Sequence, residues 1–413
     1  MRILLVQSLE YLYSWGGAHK ANRILMEGLA ERGHECRVVA PEIFMPDYEV
    51  YFAEMLRNGE FELIEDSSKL TCIRKKGVLA YSVKGDFTIY SFLKRMIDEF
   101  KPDITIVTED KSHLLIESVL ETKTRCIYLS HSQTVLPFGP ECFEANEEQT
   151  KLYHKFDGIL SVSEYLSGYF RKWAGLESKT IYFPSYGEGP FPYLGSFDNS
   201  YVTAINPSAL KGLPIIIGLA KRFPDVKFAA VITWATTNEE LEELKKVENI
   251  TIMQPEADVN NIYKLTKVFL MPSLWGEAFG QVVVEAMLRG IPVISSNVGG
   301  LIEAKQGLDY ILPVNPIKEY ISQKELLVSV HRPVVPEQNL DPWINTLVHL
   351  LNDRDQYESL SRLSREKATE FYSKLGFEAF EEYFKEVIDK GRTSETTGKE
   401  SVTAQEKVLE RIN

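Results

Sequence analysis

Two glutamates, Glu277 and Glu285, are separated by seven residues in the segment VFLMPSLWGEAFGQVVVEAMLRGIPVISSNVGG, residues 268–300. The pattern predicts a strand ending in Pro-Ser, a loop that carries Glu277, and a helix that begins near Gly280. Gly290, with a proline two residues later, is typical of a helix end. Glu285 interrupts an otherwise apolar helix. Because a buried carboxylate without a partner is costly, we expect Glu285 to meet a hydrogen-bond donor from the protein or a ligand.

The start of this helix is suited to bind an anion. Gly280 has no Cβ, so a ligand can approach the backbone closely. The amides of Phe279, Gly280 and Gln281 lie at a helix N-terminus, where the helix dipole favours negative charge such as a diphosphate. The alternative interpretation is structural: Glu277 is then an acid at a helix start, and Glu285 a buried polar residue.

The segment resembles the signature of glycosyltransferase family 4. The resemblance rests on Pro-Ser before the first glutamate, Phe-Gly between the two, and EAM-x-x-G-x-PV-x-x-S-x-x-GG from the second onward. Weaker agreement occurs at Gly16-Gly17, at SVSE (161–164) and at Lys211-Gly212. The resemblance implies a GT-B fold and an enzyme, a hexosyltransferase that moves a sugar from a nucleotide-diphosphate sugar to a hydroxyl with retention of anomeric configuration.

The family pattern implies a role for each matching residue. Glu277 would hold hydroxyls of the transferred sugar, and Glu285 the ribose hydroxyls. Lys211 and the amides at 279–281 would neutralise the diphosphate. His131, after the strand CIYLS, would bind a sugar hydroxyl or the leaving phosphate, unless it is an ordinary loop histidine. Glu277, His131 and Lys211 are therefore the candidate catalytic residues.

The remaining donor contacts are expected from both halves of the chain. Gly16 and Gly17 would lie against the donor phosphates from the opposite domain; they are not part of a G-x-G-x-x-G motif, so no dinucleotide cofactor is expected. Where the family usually has an arginine, five residues before Lys211, this chain has Asn206, which brings no charge. The candidate donor-binding residues are Gly16, Gly17, Asn206, Lys211, Phe279, Gly280, Gln281 and Glu285.

Other polar residues have weaker functional interpretations. His113 is a second histidine at a strand end, and Ser163 is expected to cap a helix. The basic run at 74–76 is expected in a solvated turn rather than at an acceptor site. Asp353 and Asp355 form an Asp-x-Asp pair, but the pattern around them favours a helix start over a metal site. With a lysine and helix amides at the diphosphate, we expect neither a metal nor another cofactor.

Alternating strands and helices position these residues. Residues 2–6 predict a buried parallel strand, and a glycine loop, a helix and a second strand at 36–40 complete a βαβ unit. A Pro/Gly-rich linker separates this half from a second alternating half. We therefore expect an α/β protein with two facing Rossmann-like domains, a ligand cleft between them and a helical C-terminal segment.

The expected domain limits follow from this pattern. They are 1–184 for the N-terminal domain on the acceptor side, 185–200 for the linker, 201–370 for the C-terminal donor domain, 371–390 for a helix that packs back towards the N-terminal domain, and 391–413 for a polar, disordered tail.

Composition excludes several classes of protein. The chain has 413 residues, 44% of them hydrophobic and 25% charged, which is typical of globular domains. Its net charge of −13 argues against broad binding to nucleic acid or anionic lipid. Neither a signal peptide nor a transmembrane segment is expected, while peripheral membrane contact stays open. Four cysteines without C-x-x-C are expected to be free thiols in the cytoplasm.

The sequence thus predicts a glycosyltransferase. Its partners would be a nucleotide-sugar donor and an acceptor glycan, lipid-linked glycan, protein or small molecule. Alternatives of the same fold are a nucleotide-sugar epimerase, a phosphorylase, or an inactive module that binds a glycan or a protein. Intact Glu277, Glu285 and Lys211 favour the enzyme, whereas Asn206 slightly favours the inactive module.

Overall fold

The structure is a computed structural model. Its described residues are 1–12, 16–42, 48–85, 88–108, 112–256, 258–325 and 328–390, with the backbone alone at 88 and 322–331. The tail expected to be disordered, 391–413, lies outside the described residues.

The N-terminal domain is built on one sheet. Its strands are β1 (Arg2–Gln7), β2 (Glu35–Pro41), β3 (Glu62–Asp66), β4 (Leu70–Lys75), β5 (Val78–Val83), β6 (Ile104–Thr108), β7 (Cys126–Ser130), β8 (Gly158–Ser161) and β9 (Lys179–Thr180). Its helices are α1 (Gly16–Glu31), α2 (Tyr48–Arg57), α3 (Thr88–Phe100), α4 (Leu114–Leu120), α5 (Glu147–Tyr153) and α6 (Glu164–Ala174). The strand order is β3-β4-β5-β2-β1-β6-β7-β8-β9, and β4 runs antiparallel to both neighbours.

The C-terminal domain is built on a second, parallel sheet of order β12-β11-β10-β13-β14-β15. Its strands are β10 (Tyr201–Ile205), β11 (Lys227–Val231), β12 (Ile250–Met253), β13 (Thr266–Met271), β14 (Val293–Ser296) and β15 (Ile311–Leu312), followed by the hairpin β16 (Tyr320–Glu325) and β17 (Val328–Pro333). Its helices are α7 (Leu213–Arg222), α8 (Asn238–Lys245), α9 (Asn260–Tyr263), α10 (Gln281–Leu288), α11 (Leu301–Ala304), α12 (Asp341–Asn352) and α13 (Arg354–Tyr372). A last helix, α14, spans 378–390.

The strand sequences explain the parallel sheets. β1 reads RILLVQ and buries five of its six residues. Strands covered by helices on both faces are continuous apolar runs rather than alternating ones. The predicted α/β architecture with parallel sheets and a helical C-terminal segment is confirmed, while the predicted domain limits stay predictions.

An apolar cluster, here called the cross-domain cluster, joins the two domains. It includes Ile3 and Leu25 of the N-terminal domain together with Phe279 and Val283 of the C-terminal domain. Since buried apolar area is the main source of stability, this cluster holds the two sheets against each other and defines the cleft at their carboxyl edges.

Helix α14 crosses back onto the N-terminal domain. The hydroxyl of Tyr383 donates to the backbone oxygen of Ile159 at 3.0 Å, and the ring of Phe380 lies 4.8 Å from that of Phe183, centre to centre. Helix α14 is thereby part of the N-terminal domain's packing.

The meander β3–β5 was not predicted. The basic run at 74–76 was expected in a turn, but Arg74 and Lys75 lie in β4, and only Lys76 occupies the turn, with φ 44°. All three cations pair with glutamates. β3 was not predicted because it is exposed along its whole length, so its sequence lacks the alternating apolar pattern of a half-buried strand.

Candidate functional site

The loop between β13 and α10 carries Glu277 and becomes a helix at Gly280. Gly280 has a φ of 97°, which L side chains rarely adopt, and a Cβ built on it would lie 2.5 Å from Cδ2 of Leu301. Both conformation and space therefore require glycine. The predicted helix start is confirmed, and the amides at 279–281 lie at the N-terminus of α10.

Glu277 is held by three hydrogen bonds to one carboxylate oxygen. Its Oε1 accepts from Lys211 Nζ at 2.5 Å, from Ser273 Oγ at 2.6 Å and from Trp275 Nε1 at 2.7 Å. The residue is only 7% exposed, so these donors offset the loss of water around the charge. No hydrogen bond within the described residues reaches Oε2, which stays available to a ligand.

Lys211 reaches Glu277 because its loop is pressed against the neighbouring one. Gly212, the N-cap of α7, has a φ of 80°, and a Cβ there would lie 2.0 Å from the backbone oxygen of Pro272. The Lys211 ammonium also lies 5.1 Å from the centre of the Trp275 ring. The structure thus brings together two residues that are distant in sequence, as the family pattern implies.

Glu285 lies one turn into α10 and meets a donor from the opposite domain. Lys20 Nζ of α1 donates to Glu285 Oε1 at 3.0 Å. Burial, followed by the Glu285 charge, raises the pKa of the hydroxyls of Tyr186 and Tyr263 well above 10. The expectation that Glu285 meets a donor is confirmed. Lys20 itself was missed, although a lysine one turn after a double glycine on a helix is a readable signal.

The first turn of α1 lies against the C-terminal domain. A Cβ on Gly16 would lie 3.3 Å from Trp234 Nε1, and one on Gly17 would lie 2.9 Å from Gln281 Oε1. The N-termini of α1 and α10 therefore approach each other across the cleft. Because both helix dipoles direct positive potential there, the arrangement is suited to an anion.

The side chains of Asn206 and Phe279 both have partners within the C-terminal or N-terminal domain. Asn206 has φ 62°, and its Oδ1 accepts from the amide of Ala235 at 3.1 Å. The ring of Phe279 lies 5.4 Å from that of Tyr182 and 5.7 Å from that of Phe371. Phe279 can therefore contribute only backbone atoms to a donor site.

His131 is a buried, neutral histidine. Its Nε2 lies 2.7 Å from Oδ1 of Asn22, while Nδ2 of Asn22 donates to Oε1 of Gln7 at 3.2 Å. That second bond directs the Asn22 oxygen at His131, so Nε2 carries the proton and donates. Burial, followed by the charge of His19, lowers the pKa of His131 to about 3.

Two weaker candidates have structural partners. Nε2 of His113 lies 3.2 Å from the hydroxyl of Tyr153, inside an apolar cluster of the N-terminal domain. Ser163 caps α6, as predicted, by accepting from the amide of Leu166 at 3.1 Å. Its hydroxyl also donates across the cleft to the backbone oxygen of Ala278 at 2.5 Å.

Further cross-cleft contacts were not predicted. Glu303 of α11 accepts from the amide of Glu164 at 3.0 Å and from the hydroxyl of Tyr182. Gln133 and Glu141 both contact the backbone of the loop that carries Glu277. Glu303, Gln133 and Glu141 belong to none of the motifs described above, and their pairing depends on the meeting of two domains.

Among the residues that the structure describes, no group of three or more His, Cys, Asp or Glu side chains could hold a metal ion. Asp353 caps α13, with Oδ1 accepting from the Gln356 amide at 2.9 Å, so the predicted helix start is confirmed.

In the described ranges of the chain, no helix is both long and apolar enough to cross a bilayer.

Comparisons with known proteins cover both domains. The model "Glycosyltransferase Family 4" matches residues 15–184, and "Glycosyl transferases group 1" matches residues 207–353. An uncharacterized 42.6 kDa protein of the cps region of Klebsiella pneumoniae is 23% identical over 77% of this chain and 91% of its own length.

Solved structures share the whole fold at low sequence identity. Sucrose-phosphate synthase of Thermosynechococcus elongatus has a TM-score of 0.67 at 15% identity, over 96% of this chain and 99% of that chain. HepE of Anabaena, in complex with UDP and glucose, has a TM-score of 0.64 at 14% identity, over 94% of this chain and 100% of that chain.

The environment of His131 predicts that it does not titrate between pH 5 and pH 8. Its pKa of about 3 lies below this range, so the ring stays neutral. We expect its ring ¹⁵N shifts, followed in ¹⁵N-histidine-labelled protein and assigned with His131→Gln, to be constant over the range. A titration midpoint within it would contradict the neutral assignment.

Proposed function

The chain belongs to glycosyltransferase family 4 and has the GT-B fold, and we propose that it transfers a sugar from a nucleotide-diphosphate sugar to an acceptor hydroxyl with retention of configuration. One observation carries the proposal: Lys211 donates to the buried Glu277 carboxylate beside the N-terminus of α10. An acceptor for sugar hydroxyls and a cation for a phosphate are thus adjacent.

In this proposal the protein stabilises the departing diphosphate. The transition state has oxocarbenium character, and negative charge grows on the leaving group. Lys211 and the amides at 279–281 supply fixed positive potential at that point, while Glu277 Oε2 orients the sugar through its hydroxyls. Glu285 accepts from the ribose, and the glycines at 16–17 let the two helix N-termini approach the phosphates.

His131 is proposed to contact a sugar hydroxyl rather than the phosphate. Its Nε2–H donates to Asn22, and its low pKa keeps the ring neutral, so the ring supplies no positive charge to a phosphate. A neutral polar ring suits a sugar hydroxyl better than a charged diphosphate. Asn206 supplies no charge, whereas Lys20 brings a second cation into the cleft from the opposite domain.

The acceptor is proposed to be a hydroxyl-bearing glycan, lipid-linked glycan, protein or small molecule. The four cysteines are free thiols, three of them buried, which suits a reducing compartment such as the cytoplasm. No metal is part of the proposal, because Lys211 and helix amides already face the leaving charge.

A donor panel tests the proposed function. Purified protein is mixed with UDP-, GDP-, ADP- and dTDP-glucose, UDP first because the structural relative HepE holds UDP and glucose. We expect one nucleotide class to raise the melting temperature, since a ligand of the folded state stabilises it, and slow release of the free nucleotide from its sugar.

The same panel separates the alternatives. An epimerase would convert the sugar without releasing nucleotide, a phosphorylase would require inorganic phosphate, and an inactive module would bind without turnover. Absence of both a thermal shift and nucleotide release with all four donors would overturn the proposal.

Lys211→Ala and Glu285→Ala are expected to act on different steps. Charge on the diphosphate grows in the transition state, so Lys211→Ala should lower kcat on the order of 10²-fold. The ribose does not change, so Glu285→Ala should weaken donor binding by about 1.5–3 kcal/mol with little change in kcat. Calorimetric Kd and steady-state kinetics measure both, with the exposed Lys151→Ala as control. Identical kinetic effects of the two variants would refute the separate roles.

Chelation is expected to leave activity unchanged. The cationic groups proposed at the diphosphate belong to the protein, and Asp353 and Asp355 are assigned to a helix start. Turnover should therefore persist in EDTA and in Asp353→Asn/Asp355→Asn. Loss of turnover in EDTA with recovery in Mn²⁺ or Mg²⁺ would contradict this account.

A further inference from the structure

Three side chains of the N-terminal domain surround one residue of the C-terminal domain, Gly276. Glu141 Oε2 accepts from the amide of Gly276 at 3.1 Å, and Gln133 Nε2 donates to the Gly276 oxygen at 2.5 Å. The hydroxyl of Tyr165 donates to Glu141 Oε1 at 2.6 Å. Both polar groups of this residue are thus bound from the opposite side of the cleft.

The space that a side chain at position 276 would need is occupied by side chains of the N-terminal domain. A Cβ there would lie 2.1 Å from Glu141 Oε2, 2.4 Å from the Tyr165 hydroxyl and 2.7 Å from Gln133 Nε2. The backbone has no positive φ that would explain the residue type. A side chain at this position would therefore have to displace the three groups of the opposite domain that lie there.

The hydrogen bonds form a connected set. Gln133 Nε2 also donates to Glu141 Oε2 at 3.0 Å, so its amide orientation is fixed by two acceptors. Glu141 accepts from an amide N–H, a side-chain amide and a phenol, which suits an ionised carboxylate. Its charge adds to burial in raising the pKa of Tyr320 to about 12, and has the same direction of effect on Tyr165.

The position of Gly276 links this set to the reaction centre. Glu277 is the next residue after Gly276, so rotation of the peptide that joins the two residues changes the direction of the Cα–Cβ bond of Glu277. Lys211, Ser273 and Trp275 hold the Glu277 carboxylate from its own domain. From the other domain, Gln133 holds the peptide that joins Gly276 to Glu277, and Glu141 holds the peptide before it, through the Gly276 amide. These bonds require a closed cleft.

We propose that Glu141, oriented by Gln133 and Tyr165, is a positioning residue that aligns Glu277 with the transferred sugar when the cleft closes. This inference rests on the proposed function. Glu141 acts through the Gly276 backbone and does not contact the substrate. Its loss should therefore affect the alignment of the transition state more than the binding of the nucleotide.

Three variants test the inference. Glu141→Ala removes the acceptor, Glu141→Gln keeps an oxygen for the Gly276 amide, and Glu144→Ala removes an exposed carboxylate of the same loop as control. With the donor identified by the panel, we expect Glu141→Ala to lower kcat at least about 10-fold while the Kd for UDP, or the matching nucleotide, changes less than about 2-fold. Glu141→Gln should recover most of the loss, and Glu144→Ala should match wild type.

A double-mutant cycle with Glu277→Gln tests the route of the effect. If Glu141 acts through Glu277, adding Glu141→Ala to Glu277→Gln should cause little further loss of kcat. Fully additive losses, unchanged kcat in Glu141→Ala, or equal losses of kcat and nucleotide affinity would overturn the inference.

Hydrogen exchange supplies a readout that needs no turnover. The Gly276 amide should be protected in the wild-type chain and exchange faster in Glu141→Ala, with helix α7 unaffected. Equal exchange rates in both proteins would contradict the hydrogen bond between the Gly276 amide and Glu141, and with it the inference. Failure of the wild-type chain to process any donor would overturn the proposed function instead, so the two failures are distinguishable.

Discussion

Glu277 is only 7% exposed, and a carboxylate with so little water around it needs hydrogen-bond donors at short distance. Those donors come from two loops, one after β10 with Lys211 and one after β13 with Ser273 and Trp275. β10 and β13 are neighbours in a parallel sheet, so both loops leave the same edge. The order of the strands thus places the donors of both loops next to the buried Glu277 carboxylate and offsets the cost of its burial.

Glycine lets these loops approach closely enough. Besides Gly212 and Gly276, a Cβ on Gly299 would lie 2.3 Å from the backbone oxygen of Glu277, and one on Gly300 would lie 2.5 Å from that of Ala278. The amide of Gly300 donates to the Glu277 oxygen at 2.7 Å. The double glycine at the end of the signature therefore packs its backbone directly against the loop that carries Glu277. The sequence motif alone does not show this contact.

The extent to which sequence predicts this molecule depends on how local each signal is. The alternation of strands and helices and the segment from Glu277 to Glu285 are readable because apolar periodicity and helix ends are local features. β3 is not readable, because its exposed face carries no apolar pattern. Lys20 reaches Glu285, and Glu141 reaches the Gly276 amide, only when the two domains meet. The neutral state of His131 likewise comes from burial, which no spacing of residues records.

Helix α14 has a consequence for synthesis on the ribosome. Phe380 and Tyr383 cover apolar and backbone groups around Phe183 and Ile159. The N-terminal domain therefore emerges before the C-terminal domain but completes its surface only after helix α14 has been translated. Until then the N-terminal domain exposes the apolar surface that α14 covers, as a folding intermediate does. In a chain truncated before residue 378 this surface stays exposed.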